Sequence, residues 1–244
     1  MKIINIEAIP VPIPFTHGGP MTDFVVGKAW TELGHLLVRV DTDADITGYG
    51  DAFGFNAIHT TKTAIDTLIT PIALGRDATE IGPLMDELAV KTHIFGRYGV
   101  TTFALSGLDI ALWDIAGKIA GVPCSKLWGG PVRDTIRTYC HLGGGKMEDF
   151  YETAEDDASR FAELACEAVE KGFTAFKCMA VPPTMPIEGL KPVRAAEAAV
   201  QAMREAVGET IDIMVDCHAR PSPAMGLKFG KALEPYGLYF FEEP

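Results

Sequence analysis

The chain has 244 residues, 48% of them hydrophobic, enough to bury the core of one large domain or two ordinary ones. Its 33 acidic and 21 basic residues leave a formal net charge of −12 with Lys and Arg scattered, which argues against nucleic acid or an anionic membrane surface as a partner. An acidic small molecule stays within reach, because a bound metal ion reverses the field locally.

The first stretch, "MKIINIEAIPVPIPF", is interrupted by Glu7 and three prolines and so lacks the apolar core of a signal peptide. No run approaches the ~20 apolar residues of a membrane span, so a soluble, unexported protein is expected. Residues 1–52 read as strands: "KIINIEAIPVPI", then "HLLVRVDTDADITGYGDAF" with a turn at "DTDAD". The Gly- and Pro-rich "PFTHGGPMTDFVVGKAW" between them reads as a mobile loop. From Ala57 to Ala120 the pattern is helical. Its clearest helix, "GVTTFALSGLDIALWDIAGKIAG", repeats apolar residues at Leu105, Leu108, Leu112, Ile115 and Ile119, with Gly121 and Pro123 as stop signals. Strands followed by helices define an α+β domain over residues 1–130.

After "KLWGGPVRD" strand and helix alternate. The predicted strands are "TIRTYCHL" (135–142), "TAFKCMA" (174–180), "IDIMVDCHA" (211–219) and "LYFFEE" (238–243). The helices between them are "EDFYETAEDDASRFAELACEAVEKG", "KPVRAAEAAVQAMREAVG" and "AMGLKFGKALEPYG". Repeated βα units with apolar strands imply a parallel sheet covered by helices over residues 131–244. Four strands alone do not separate a doubly wound sheet from a (β/α)8 barrel. Lys177, Asp216, His218 and Glu242, all at strand C-terminal ends, favour the barrel. A barrel needs ~250 residues, so about half of one is present and the chain is expected to be a truncated or partial protein.

Five cysteines, Cys124, Cys140, Cys166, Cys178 and Cys217, show no CxxC spacing and sit mostly in apolar runs. Zinc and disulfide frameworks are therefore poor readings, and a reducing cytoplasm fits. "HLGGGKMED" lacks the Gly-x4-Gly-Lys-[Ser/Thr] order of a phosphate loop, and its glycines are expected to let the chain turn tightly. The methionines read as core filler.

In "MVDCHAR" a buried strand ends in Asp216, and His218 follows two residues later on the same face. Glu242 on the next strand and Lys177 on the preceding one complete two carboxylates, an imidazole and an ammonium. Carboxylates on neighbouring strands suit Mg2+, a hard cation that takes oxygen ligands, and two are too few for a tight site, so a third is expected beyond residue 244. Each residue alone has an ordinary role open to it: a helix cap, a solvated acid, a partly buried histidine, a snorkelling lysine. Their joint placement is what points to chemistry.

These stretches resemble the mandelate racemase and muconate-lactonizing group of the enolase superfamily. "ALSGLDIALWDIAGKIAGVPCSKLWGG" (104–130) is similar to that family's signature before the barrel, and "VDCHAR" and "FEEP" to its first two metal-ligand strands. The resemblance implies that Asp216 and Glu242 bind Mg2+, that Glu243 is an outer or structural group, and that a third carboxylate and a His-Asp base fall after Pro244. Racemases and cycloisomerases of the group carry Lys-x-Lys on the second barrel strand, whereas this chain reads Lys177-Cys178-Met179, so a two-base racemase is not implied. His218 is similar to the general acid of the sugar-acid dehydratases, such as galactonate and mannonate dehydratases, and "VPPTMPIEG" (181–189) to a dehydratase loop.

The implied activity is Mg2+-dependent dehydration of a sugar acid. A base removes the α-proton, the metal neutralises the resulting enediolate, and His218, whose class titrates near ~6.5, protonates the leaving β-hydroxyl to give a 2-keto-3-deoxy acid. Lys177 supplies a second positive contact. Arg220 is a candidate partner for substrate, and His17, Asn56 and His59 on first-domain loops are candidates to read its hydroxyls. A cytoplasmic homo-oligomer is expected. The alternatives are a cycloisomerase, epimerase or racemase of the same superfamily, and a catalytically silent sugar-acid-binding homologue.

Overall fold

The computed structural model describes residues 1–15, 31–142 and 158–244, which form two compact units divided between residues 134 and 135. His17, the loop around it and the glycines of "HLGGG" lie outside the described residues, as does the start of the helix predicted from Glu148.

The first unit is an antiparallel meander of β1 (Ile3–Pro14), β2 (Glu32–Thr42) and β3 (Thr47–Asp51). Five helices follow: α1 (Ile58–Ala64), α2 (Thr70–Ala73), α3 (Ile81–Thr92), α4 (Val100–Ala120) and α5 (Cys124–Leu127). Alternation along β2 buries Leu36, Val38, Val40 and Thr42. They face Leu108, Leu112 and Ile115 of α4, which with Ile65, Ile69, Leu84 and Leu88 fill the core. Ile119, read from its period as part of the same stripe, is 46% exposed. α4 ends at Gly121, whose φ of 65° lets Val122 N–H bond back to Gly117 O at 3.0 Å.

Against the expectation from apolar runs, α4 is by length and composition apolar enough to cross a membrane, with a mean hydropathy of 1.2. Its apolar face is occupied by the sheet. Contact is unusually close there, since a Cβ on Gly50 would sit 2.1 Å from Gly107 O and one on Gly48 2.2 Å from Ala111 O. Among the described residues β3 pairs only with β2, and α4 covers part of its edge: Tyr49 N–H donates to Asp114 Oδ2 at 2.8 Å, and Lys118 Nζ donates to Thr47 O at 2.7 Å.

The second unit is a parallel sheet of β4 (Cys140–His141), β5 (Ala175–Cys178), β6 (Asp212–Asp216) and β7 (Phe240–Glu242), in that spatial order. Between consecutive strands run α6 (Ala158–Glu170), α7 (Lys191–Val207) and α8 (Pro223–Leu233). α6 packs on α7 and α7 on α8, so the helices form one layer. Strand order without a reversal and helices on one face distinguish this sheet from a doubly wound one, whose order reverses at a switch point.

The predicted first strand of this unit is shorter than expected. Cys140 and His141 form the paired strand, with one further bond from Leu142 N–H, while Arg137 holds the preceding segment through its side chain, donating to Thr174 Oγ1 at 2.9 Å and pairing with Asp212. At the same end of the sheet, Arg204 of α7 donates to four carbonyls: Gly208 and Ile211 at 2.7 Å, Tyr236 at 3.0 Å and Gly237 at 3.2 Å. Arg204→Ala is expected to lower the stability of this unit by about 2 kcal/mol, with Arg204→Lys recovering only part because an ammonium lacks the planar fork. Urea unfolding measures it; a midpoint unmoved by Arg204→Ala excludes the clamp.

Candidate active site

Alternation sorts the side chains of the parallel sheet into two layers. Phe176, Cys178, Ile213, Val215 and Cys217 turn into the helix-covered core. Lys177, Met214, Asp216, Phe240 and Glu242 therefore point to the opposite face. The Cys178 and Cys217 thiols are pushed up to about 12, chiefly by burial, and are inert backing.

Asp216 and Glu242 are register partners on β6 and β7. Lys177 pairs with Met214, two residues short of Asp216, an offset of ~6.6 Å along the strand. A four-carbon stem makes up that offset. Lys177 Nζ lies 3.1 Å from Asp216 Oδ2 and 3.0 Å from Glu242 Oε2, so one cation already bridges both carboxylates. Lys177 and Asp216 side chains are 13% and 6% exposed, and Glu242 is more open at 34%. Burial works against the ammonium, but bonds and charge from Glu242 and Asp216 outweigh it and hold Lys177 well above the ordinary lysine range. Burial likewise pushes the Asp216 carboxyl up, and bonding and charge from Lys177, with the His218 N–H, prevail and keep it below its usual value.

The turn after β6 is unusual. His218 and Ala219 both adopt left-handed φ, 51° and 52°, a region costly for residues with a Cβ. It is held by His218 N–H donating to Asp216 Oδ1 at 2.7 Å and by Ala219 N–H donating to Glu243 O at 3.2 Å. The result folds the imidazole back over the strand end, its Nδ1 3.6 Å from Asp216 Oδ2, with the side chain 46% exposed. Arg220 closes the turn, its Nε donating to Cys217 O at 3.2 Å.

Lys177, Asp216, Glu242 and His218 are thus brought together. Asn56 lies in the short helical turn Phe55–Ala57 and His59 is exposed on α1, both in the first unit; the Asn56 side chain lies outside the described residues. Sequence reasoning passed over two neighbours, Tyr139 and His141. Glu243, taken as outer or structural, also has left-handed φ, and one ligand atom each from Glu243, Asp216 and His218 lie within 4.8 Å of one another. Tyr139 places its ring 5.8 Å from Lys177 Nζ. His141 ends β4 in register with Lys177, and desolvation followed by the Lys177 charge holds its imidazole below the usual value although it keeps one side open to solvent. Only their strand-end positions signalled them.

The donor set fits a hard divalent cation: carboxylates on adjacent strands whose oxygens already converge on one positive charge, with Glu243 and His218 beside them. Lys177 offsets one of the three negative charges, which leaves the pocket net negative. Strand-end acids on a singly wound βα sheet, with an α+β unit before them, define a class of two-unit α/β chain whose polar cluster lies at the strand C-termini. The sequence places it further. Residues 27–129 match the mandelate racemase/muconate lactonizing enzyme N-terminal domain, and residues 160–244 match the enolase C-terminal domain-like family. The chain belongs to the mandelate racemase/muconate lactonizing enzyme group of the enolase superfamily.

Among its relatives, D-gluconate dehydratase of Thermoproteus tenax is 33% identical over 86% of this chain and 40% of its own length. D-galactonate dehydratase of Ralstonia pickettii is 32% identical over 86% of this chain and 51% of its own length. Arabinonate dehydratase of Saccharolobus solfataricus is 31% identical over 86% and 52%. The crystal structure of an enolase superfamily member from Salmonella Typhimurium superposes with a TM-score of 0.72 at 26% identity, covering 100% of this chain and 61% of that one. The chain spans about half the length of the curated relatives it matches.

Proposed function

We propose that the protein is a Mg2+-dependent sugar-acid dehydratase, acting in the cytoplasm, whose four sequential strands belong to a (β/α)8 barrel. The observation that carries the reading is the convergence of Asp216, Glu242 and Lys177 beneath a histidine folded over the same strand end. The names of the relatives, three sugar-acid dehydratases, support a sugar acid as the substrate class.

Asp216 and Glu242 would hold Mg2+, with Glu243 beside them. Bound there, the ion supplies charge neutralisation for a substrate carboxylate as the α-proton leaves. Lys177, kept charged by its surroundings, offers that carboxylate a second positive contact. His218 stands at the open side of the cluster, where its imidazole donates a proton to the β-hydroxyl as the Cβ–O bond breaks. Water departs, the α-proton has gone to a base, and the enol tautomerises to the 2-keto-3-deoxy acid. Met179, two residues beyond Lys177, is buried and has no amine, which disfavours a second base at that position.

The test uses the full-length protein stripped with EDTA and incubated with gluconate, galactonate and arabinonate, with and without added Mg2+. Expected is 2-keto acid formation from at least one of them, abolished by stripping and restored by the metal. Turnover that survives stripping removes the metal from the reading, and an isomerised product without loss of water removes the dehydratase.

A further inference from the structure

We propose that His141 reads a hydroxyl of the sugar acid and so discriminates between epimers. The inference rests on the dehydratase reading above.

Cys140 and Leu142 pack into the helix-covered core, so alternation turns Tyr139 and His141 to the face that carries Lys177. His141 and Lys177 are register partners, their strands ~4.8 Å apart, and both lie at the C-terminal ends of those strands. The Leu142 N–H bond to Lys177 O, 2.8 Å, continues the ladder past β4 and ties the His141 backbone to β5. Tyr139, two residues earlier on the same face, has its ring 5.8 Å from Lys177 Nζ, so this face of the β4 segment borders the cluster.

Its chemistry complements that cluster. The carboxylate of a bound acid is served by Lys177 and by a cation at Asp216 and Glu242, while His218 lies on the far side of Lys177 from β4, in the sheet order β4-β5-β6-β7. A polyhydroxy acid of five or six carbons anchored at Lys177 reaches one strand spacing and meets β4. The His141 imidazole presents ring nitrogens able to bond a hydroxyl group, which both donates and accepts. A site that bonds a hydroxyl discriminates against an analogue that misplaces it, because that bond is then not made.

The experiment compares the full-length wild type with His141→Ala and His141→Gln on gluconate and its C4 epimer galactonate. It reads kcat/KM for each acid, the binding of each by calorimetry, Mg2+ affinity and the melting temperature. Expected for His141→Ala is a loss of about 10- to 100-fold in kcat/KM and in affinity for the preferred acid, a much smaller loss for its epimer, and unchanged Mg2+ affinity. His141→Gln, which keeps a donor and an acceptor, should recover part of the discrimination. Equal losses for both acids with a lowered melting temperature make His141 structural and overturn the proposal, as does an unchanged ratio. A wild type that neither binds nor dehydrates any sugar acid sinks the dehydratase reading itself, a result separable from the others because it precedes any substitution.

Discussion

His218→Asn is expected to lower kcat by about 10²- to 10⁴-fold, the usual contribution of a positioned general acid, while Mg2+ affinity stays unchanged. Asparagine is the choice because it tolerates left-handed φ better than alanine, so the turn at 51° and the N–H bond to Asp216 persist. What disappears is the ionisable imidazole over the strand end. The loss should be smaller for a substrate analogue carrying a better β-leaving group, fluoride in place of hydroxide, which departs without a proton. Stopped assays at saturating acid and metal titration by calorimetry give both numbers. Full activity in the variant, or an equal loss with the fluoro analogue, would refute the assignment of His218 as acid.

Gly50→Val is expected to destabilise the first unit by more than about 4 kcal/mol, a large share of the 5–15 kcal/mol that holds an ordinary domain together. The added Cβ would stand 2.1 Å from Gly107 O and 2.8 Å from Ala111 N, both backbone atoms of α4 that no rotamer change can move aside. Relief requires lifting α4 off β3, which opens the layer between Val38 and Leu108 and breaks the Tyr49 and Lys118 contacts along the strand edge. Gly82→Ala is the control. Gly82 sits in the first turn of α3, where an added Cβ would meet nothing within 4 Å beyond its chain neighbours; the gain in helix propensity is opposed by crowding against the Pro83 ring that follows, so alanine should change stability by less than about 1 kcal/mol. Urea unfolding of both variants settles the matter; a Gly50→Val protein as stable as wild type would mean that β3 and α4 are not in close backbone contact.

Much of the site was legible because strands repeat every two residues. "MVDCHAR" and "FEEP" each end an apolar run on a carboxylate, and parallel βα order aligns such ends at one edge of a sheet, so Asp216 and Glu242 in register follows from pattern alone. The first-unit glycines were not legible. Gly48 and Gly50 read as ordinary strand glycines until α4 is laid across them. His141 was hidden in "TYCHL" for a related reason: the run reads as a plain strand, and only pairing with β5 shows that its last side chains reach the cluster.

From the order of residues alone came the alternating βα rhythm of the second unit and the strand face shared by Lys177, Asp216 and Glu242, because each depends on local periodicity. Tertiary structure alone decided that the Lys177 ammonium spans an offset of two residues to lie between both acids, and that His218 and Glu243 turn back through left-handed φ. Periodicity sets the direction of a side chain, whereas its reach depends on torsions that neighbouring strands and turns select. The pocket is made by those torsions.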